Sequence, residues 1–234
     1  MSPRSSKNTN GKVPRKLRRT HGEAEAATAV DTHAIGVVPS ELIVSALTPP
    51  FTKPGVRMPV RAGTTMYHSP IRTVIRQSII SMPAKEAEES DKYKQIVPFV
   101  VLFGNNNKMM VVRKIDPNRD IHPTHEYSIG LLGHLHGGEG IYEGLYRITE
   151  EQSGVRSKDI STCVFSGYIY NNPNHVGLIF ATKIEECSIK MPKGSYTWED
   201  YNAVQKLIDN GKLDTWSTIT YEHVVTPRHT SGAW

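Results

Sequence analysis

The chain is poor in cysteine and has no long apolar run. Cys163 and Cys187 are its two cysteines in 234 residues. They are too few for a disulfide framework and lack the paired spacing of a zinc site. A reducing compartment, and with it a cytoplasmic location, is the expectation. No apolar stretch nears the roughly 20 residues that span a bilayer, so no membrane partner is expected. The basic N-terminus lacks the apolar segment of a secretory signal. No repeat of solenoid period is present, which excludes a stacked-repeat architecture.

Most of the chain also lacks net charge. Residues 1–30 hold seven of the 28 basic residues (Arg4, Lys7, Lys12, Arg15, Lys16, Arg18 and Arg19) but only Glu23 and Glu25 of the 23 acids. That leaves the remainder neutral, so the whole net charge of +5 lies in the tail. Residues 1–32 show no apolar periodicity and read as a disordered basic tail. Its cluster Pro14 to Arg19 is a solvated arm, a weak contact for nucleic-acid phosphates, or an import address. Residues 33–234 read as one domain.

Within that domain, Ile35 to Val38 is a short strand candidate, and Ser40 caps a helix through Leu42, Ile43 and Leu47. Pro49, Pro50 and Pro54 end it. The β-branched stretch Thr73 to Ser81 predicts a strand, and Ala84 to Asp91 a charged connector. Ile96 to Phe103 is apolar almost throughout, as a strand buried on both faces would be. Gly104 to Asn107 predicts a tight turn into a strand from Met109 to Val112. Tyr127 to Leu131 is a further strand, followed by a helix from Glu139 to Gln152. Val164 to Tyr170 and Val176 to Ile184 are strands about the turn Asn171 to Asn174. A last helix starts at Thr197, with Asp200 completing a capping box, and stops at Asn210–Gly211. Strands interleaved with a few helices give an α/β or α+β layered domain.

The chemistry concentrates between Gly133 and Val155: glycines after a strand, then a helix with acids along one side. Ile141, Leu145 and Ile148 follow i, i+4, i+7 spacing and should face the sheet. Glu143, Arg147, Glu150 and Glu151 project elsewhere, with Arg147 spaced to bridge the acids as helix ion pairs. His134 and His136 form a weak metal signal without a third ligand, and His122 and His125 read as loop residues.

Gly133, Glu139, Arg147, Glu151, Gly154 and Val155 stand in ungapped register with the Nudix box, and the segment resembles it. The flanking stretches Ser90 to Phe99, Tyr127 to His134 and His175 to Phe180 are similar to a Nudix subgroup of MutT-type phosphoesterases. So are Val38 to Leu42 and Leu213 to Ser217, and the resemblance spans about residues 35 to 222. It implies an α/β/α sandwich around a mixed sheet. It also implies hydrolysis of a phosphoanhydride in a nucleoside diphosphate-linked compound, with Mg²⁺ or Mn²⁺ as cofactor and a nucleotide-like small molecule as partner. Carried over residue by residue, Glu151 and Glu150 would bind metal, and Glu151, Glu150 and Arg147 would serve catalysis. Gly133, Gly137, Gly138 and Glu139 would meet the substrate.

The box is degenerate. Its three metal-binding glutamate positions hold Ile148, Glu151 and Gln152, so one carboxylate of three is present. This departure supports an alternative, a catalytically inactive Nudix scaffold that binds a ligand or a protein. Nucleic-acid binding through the tail is a third possibility.

Overall fold

The computed structural model describes residues 34–46, 70–114, 126–172, 174–226 and 229. The expectations for residues 1–32, Leu47, the prolines from Pro49 to Pro54, His122 and His125 lie outside these residues.

The architecture is organised by β3 (Tyr93–Phe103), whose apolar run is buried almost end to end. Its side chains alternate between faces, as a pleated strand requires. Ile96, Val100 and Leu102 enter one core, and Val97, Phe99, Val101 and Phe103 enter the other. β3 pairs in parallel with β8 (His175–Ile184), from Gln95 opposite His175 to Phe103 opposite Lys183. On its other side lie β1 (Ala34–Pro39) and β6 (Gly130–Leu132), both antiparallel. Pro98 cannot donate to a ladder. It stands one residue beyond Phe99, whose partner Leu132 ends β6.

The remaining strands extend this sheet. β2 (Ile80–Pro83) pairs with β1, and β7 (Ile160–Asn172) with β8. β4 (Met109–Arg113) meets β3 at Phe103 and Met109 only, then pairs with β5 (Tyr127–Ser128) and β9 (Tyr196–Glu199). The sheet is therefore mixed, with nine strands among the described residues. Helices cover both faces. Ile43 of α1 (Ser40–Ala46), Ile71 and Ile75 of α2 (Pro70–Ser78), and Leu145 and Ile148 of α4 (Ile141–Ser153) build the first core. Val204 of α5 (Tyr201–Asp209) and Trp216 and Ile219 of α6 (Thr215–Thr220) build the second. No helix among the described residues is long and apolar enough to cross a membrane.

Four expectations need correction. The stretch expected as a strand from Thr73 to Ser81 is mostly helix: α2 runs to Ser78 before β2 begins at Ile80. Ile71 and Ile75 are one helical turn apart and fully buried, and that packing outweighs the β-branched composition. The charged connector contains α3 (Ala84–Glu89), which buries Ala87 alone. The strand expected from Tyr127 to Leu131 divides at Ile129, because the chain leaves β4 and joins β3 there. Thr197 lies in β9, and Asp200 is itself the N-cap of α5, accepting from the Ala203 N–H at 2.8 Å. A further helix, α6, follows α5. Asp214 caps it through the Ser217 N–H at 2.8 Å, and a π-helical turn, Tyr221–Val225, continues it.

Candidate functional site

The glycine-rich segment leaves β6 and runs on along the sheet before α4 begins. The Leu135 N–H donates to the Ile96 carbonyl at 3.2 Å, and the Gly36 N–H donates to the Leu135 carbonyl at 2.8 Å. The Gly137 N–H donates to the Ala34 carbonyl at 2.9 Å. Gly133 packs closely on the helix, since a Cβ there would stand 3.0 Å from Ile148 Cγ1. Gly138 has φ +81°, and nothing lies within 4 Å of where its Cβ would stand, so it turns the chain in open space. Of the expected substrate glycines, Gly133 packs against the helix and Gly137 serves the sheet, whereas Gly138 faces outward.

On α4 the apolar stripe is as expected: Leu145 and Ile148 are buried and Ile141 is partly buried. The acids are arranged differently from the helix-spaced pairing expected for Glu143 and Glu150. Arg147 donates from Nε to Glu139 Oε1 and from Nη2 to Glu139 Oε2, both at 2.8 Å. Its Nη2 also reaches the His134 carbonyl at 2.8 Å, and its Nη1 reaches Glu151 Oε2 at 3.0 Å. The His136 N–H adds a bond to Glu139 Oε2 at 2.9 Å. Glu143 instead turns back to accept from the Gly140 N–H at 2.9 Å, as a capping-box acid does. Glu150 is exposed, and its carbonyl accepts from the Gly154 N–H where the helix ends.

The electrostatics follow from this wiring. Burial pushes the Glu139 carboxyl upward, but the bonds from Arg147 and His136 prevail and hold it below the usual carboxylate range. Arg147 is held above its ordinary range, first by its bond to Glu139, against the opposing pull of burial. The paired side chains are only 21% and 11% exposed, so this forked charge pair works at reduced dielectric. Glu151 is different: its side chain is 57% exposed and reaches solvent beyond Arg147.

Ile148 is 1% exposed and belongs to the core. Gln152 donates Nε2–H to the Leu132 carbonyl at 2.6 Å. No group of three or more His, Cys, Asp or Glu side chains converges among the described residues, and His134 and His136 gain no third ligand there. A preformed cage therefore does not fit. An exposed Glu151 fits a hard cation that enters on its substrate, since Mg²⁺ is commonly held by one or two carboxylates plus phosphate oxygens and water; Glu150, one residue back on a continuous helix, projects to a different side.

A groove of about 390 Å³ opens at the start of α4, between Ile75, Ile79, Gly138, Tyr142 and Glu143. It lies about 12 Å up the helix from Glu151, at 1.5 Å per residue over the eight residues from Glu143. The site residues thus fall into two parts, the glycine-loop groove and the Arg147–Glu151 end.

No family model matches this chain, and no curated protein does. Solved structures do. Tm1382, provisionally assigned as a Nudix hydrolase, is 21% identical with a TM-score of 0.58, over 81% of this chain and 96% of its own. DR0079 from Deinococcus radiodurans is 10% identical with a TM-score of 0.45, over 60% of this chain and 88% of its own. The Ap4A hydrolase of C. elegans is 11% identical with a TM-score of 0.38, over 50% and 87%. The last two overlaps are too loose to carry weight. The first shows the fold: a mixed sheet between helical layers, arranged as in Tm1382.

Proposed function

We propose that the chain is a Nudix-type hydrolase that cleaves a phosphoanhydride in a nucleoside diphosphate-linked compound. The observation that carries the reading is the Glu139–Arg147–Glu151 network, which stands at the box spacing on the loop and helix of this fold. Glu151 would hold Mg²⁺ or Mn²⁺, which would offset charge on the phosphoryl oxygens, and Glu150 would contribute only on turning toward it. Arg147 positions Glu151 by taking one of its oxygens, and the same guanidinium fixes the loop through Glu139 and the His134 carbonyl. Gly138, at the open turn before the helix, is the loop position that a phosphate would approach.

The alternative reading rests on one observation. Ile148 is sealed into the core and the Gln152 amide is engaged with Leu132, as expected of a scaffold that binds its ligand without turning it over. One screen separates the two. Nucleoside diphosphate sugars, dinucleoside polyphosphates, NADH and damaged nucleoside triphosphates are offered to wild type, Glu151→Gln and Gln152→Glu, with and without EDTA. Hydrolysis requires turnover that EDTA and Glu151→Gln both abolish. Binding by calorimetry without turnover in any of the three proteins supports the second reading. Any nucleic-acid contact is assigned to the basic tail. It should vanish on deleting residues 1–32 and fall steeply with salt.

A further inference from the structure

The groove at the start of α4 is walled by two elements fixed on the same core. On one side is Ile79, whose N–H donates to the Ile75 carbonyl of α2 at 2.9 Å. It packs on the backbone of β1, where a Cβ at Gly36 would stand 2.8 Å from its Cδ1. On the other side Ile141 and Tyr142 open α4, and the Tyr142 ring lies 5.8 Å from that of Phe180, inclined at 64°. All three side chains pack against the first core yet remain partly exposed, and they line the groove. Its volume of about 390 Å³ is that of a small-molecule pocket, in which apolar walls carry a few placed polar groups.

Three charged side chains line this groove, and two of them are engaged. Glu139 is held by Arg147 and the His136 N–H, and Glu143 accepts from the Gly140 N–H. The third, Arg76, stands in the last turn of α2, exposed and with no hydrogen bond or ion pair among the described residues. The groove thus offers apolar walls and one unengaged guanidinium, whose planar fork suits a phosphate. Those walls give a sugar hydroxyl no side-chain partner, so burying one there would leave it unmet. An alkyl, acyl or aryl group suffers no such loss and gains the removal of its surface from water.

The groove is continuous with the rest of the site. Glu139 lines it, and Arg147 binds Glu139 and Glu151 at once, so one guanidinium spans from the groove wall to the metal end. Gly138, the open turn that a phosphate would approach, lines it too. We propose that the groove takes an apolar end group of the diphosphate-linked compound, with Arg76 on the phosphate that carries this group. This names the group joined to the diphosphate, and it rests on the reading of a diphosphate-linked ligand.

The test uses the full chain and four probes: inorganic pyrophosphate and the ethyl, butyl and hexyl diphosphates. Affinities are measured by calorimetry with Mg²⁺ present, for wild type, Arg76→Gln and Ile79→Ala, with melting curves to confirm folding. In wild type each added methylene should tighten binding by about two- to fourfold. Ile79→Ala should flatten that gain and leave pyrophosphate binding unchanged. Arg76→Gln should weaken all four probes about tenfold and leave the gain per methylene intact. If Ile79→Ala does not fold, Ile141→Ala takes its place. Affinity independent of chain length overturns the proposal, as does an equal gain per methylene in wild type and Ile79→Ala. Pyrophosphate bound as tightly by Arg76→Gln as by wild type also overturns it. Its failure is distinguishable from that of the hydrolase reading. Turnover of diphosphates at a KM indifferent to chain length sinks the groove alone. Binding that rises with chain length and depends on Ile79, without turnover of any compound, sinks hydrolysis and leaves the groove standing.

Discussion

Arg147 grips Glu139 through two nitrogens, each 2.8 Å from a different carboxylate oxygen, and so pins the glycine-rich loop to the helix that follows it. The two residues are eight apart in sequence, and their contact determines where the loop stands relative to Glu151.

Glu139→Ala should cost about 1.5–3 kcal/mol, because it removes charge-assisted bonds and strands a largely buried guanidinium. For a chain of this size that lowers the melting temperature by about 3–12 °C, measurable by calorimetry. Arg147→Lys should recover little of what Arg147→Ala loses, since an ammonium cannot make the fork. Equal stability in Arg147→Lys and wild type would show that the fork is unimportant.

The Glu139 carboxyl titrates below its ordinary value of 4.5 in the folded chain. The unfolded chain therefore takes up the proton first as pH falls. The stability supplied by the contact is complete above about pH 5 and is lost as pH drops through the folded value. Glu139→Gln should flatten the dependence of melting temperature on pH below about 5. A wild-type acid slope retained in full would place the responsible group elsewhere.

Leu145 is fully buried in the first core, at mid-helix. Leu145→Ala should destabilise by about 2–5 kcal/mol in urea unfolding. A loss below about 1 kcal/mol would mean that the site collapses to fill the gap.

Gln152→Glu replaces the donor that now reaches the Leu132 carbonyl with an acceptor. Without metal it should lower the melting temperature, because two oxygens then face each other. Added Mn²⁺ should raise the melting temperature of Gln152→Glu more than that of wild type, since bound ligand stabilises by mass action. Equal shifts in the two proteins would show that position 152 does not approach a cation.

Much of the core was legible because its signals are local. The continuous apolar run of β3 and the Ile141, Leu145, Ile148 stripe each depend on neighbours within a few residues. Composition marks Asp200 as a capping residue but gives it the wrong role, because Thr197 is also a good cap by composition and only its pairing with Val111 commits it to a strand. Arg147 was expected to pair along its own helix. Its main partner lies in the preceding loop, and that return is fixed by the Gly137–Ala34 and Leu135–Ile96 bonds, which no helix periodicity contains. Gln95 was unremarkable in sequence. It meets His175 only through a register between strands 80 residues apart.

That register also bears on how the chain is made. β3 is the central strand, yet its longest partner, β8, ends at Ile184. During synthesis at about 5–20 residues per second, β3 emerges several seconds before β8 can cover it. Until then its Ile96 to Phe103 run is an uncovered apolar strand edge, and parallel pairings of such sequence separation are among the slow steps of folding. The newly made chain should therefore depend on holding chaperones in proportion to how slowly residues 104–184 are translated.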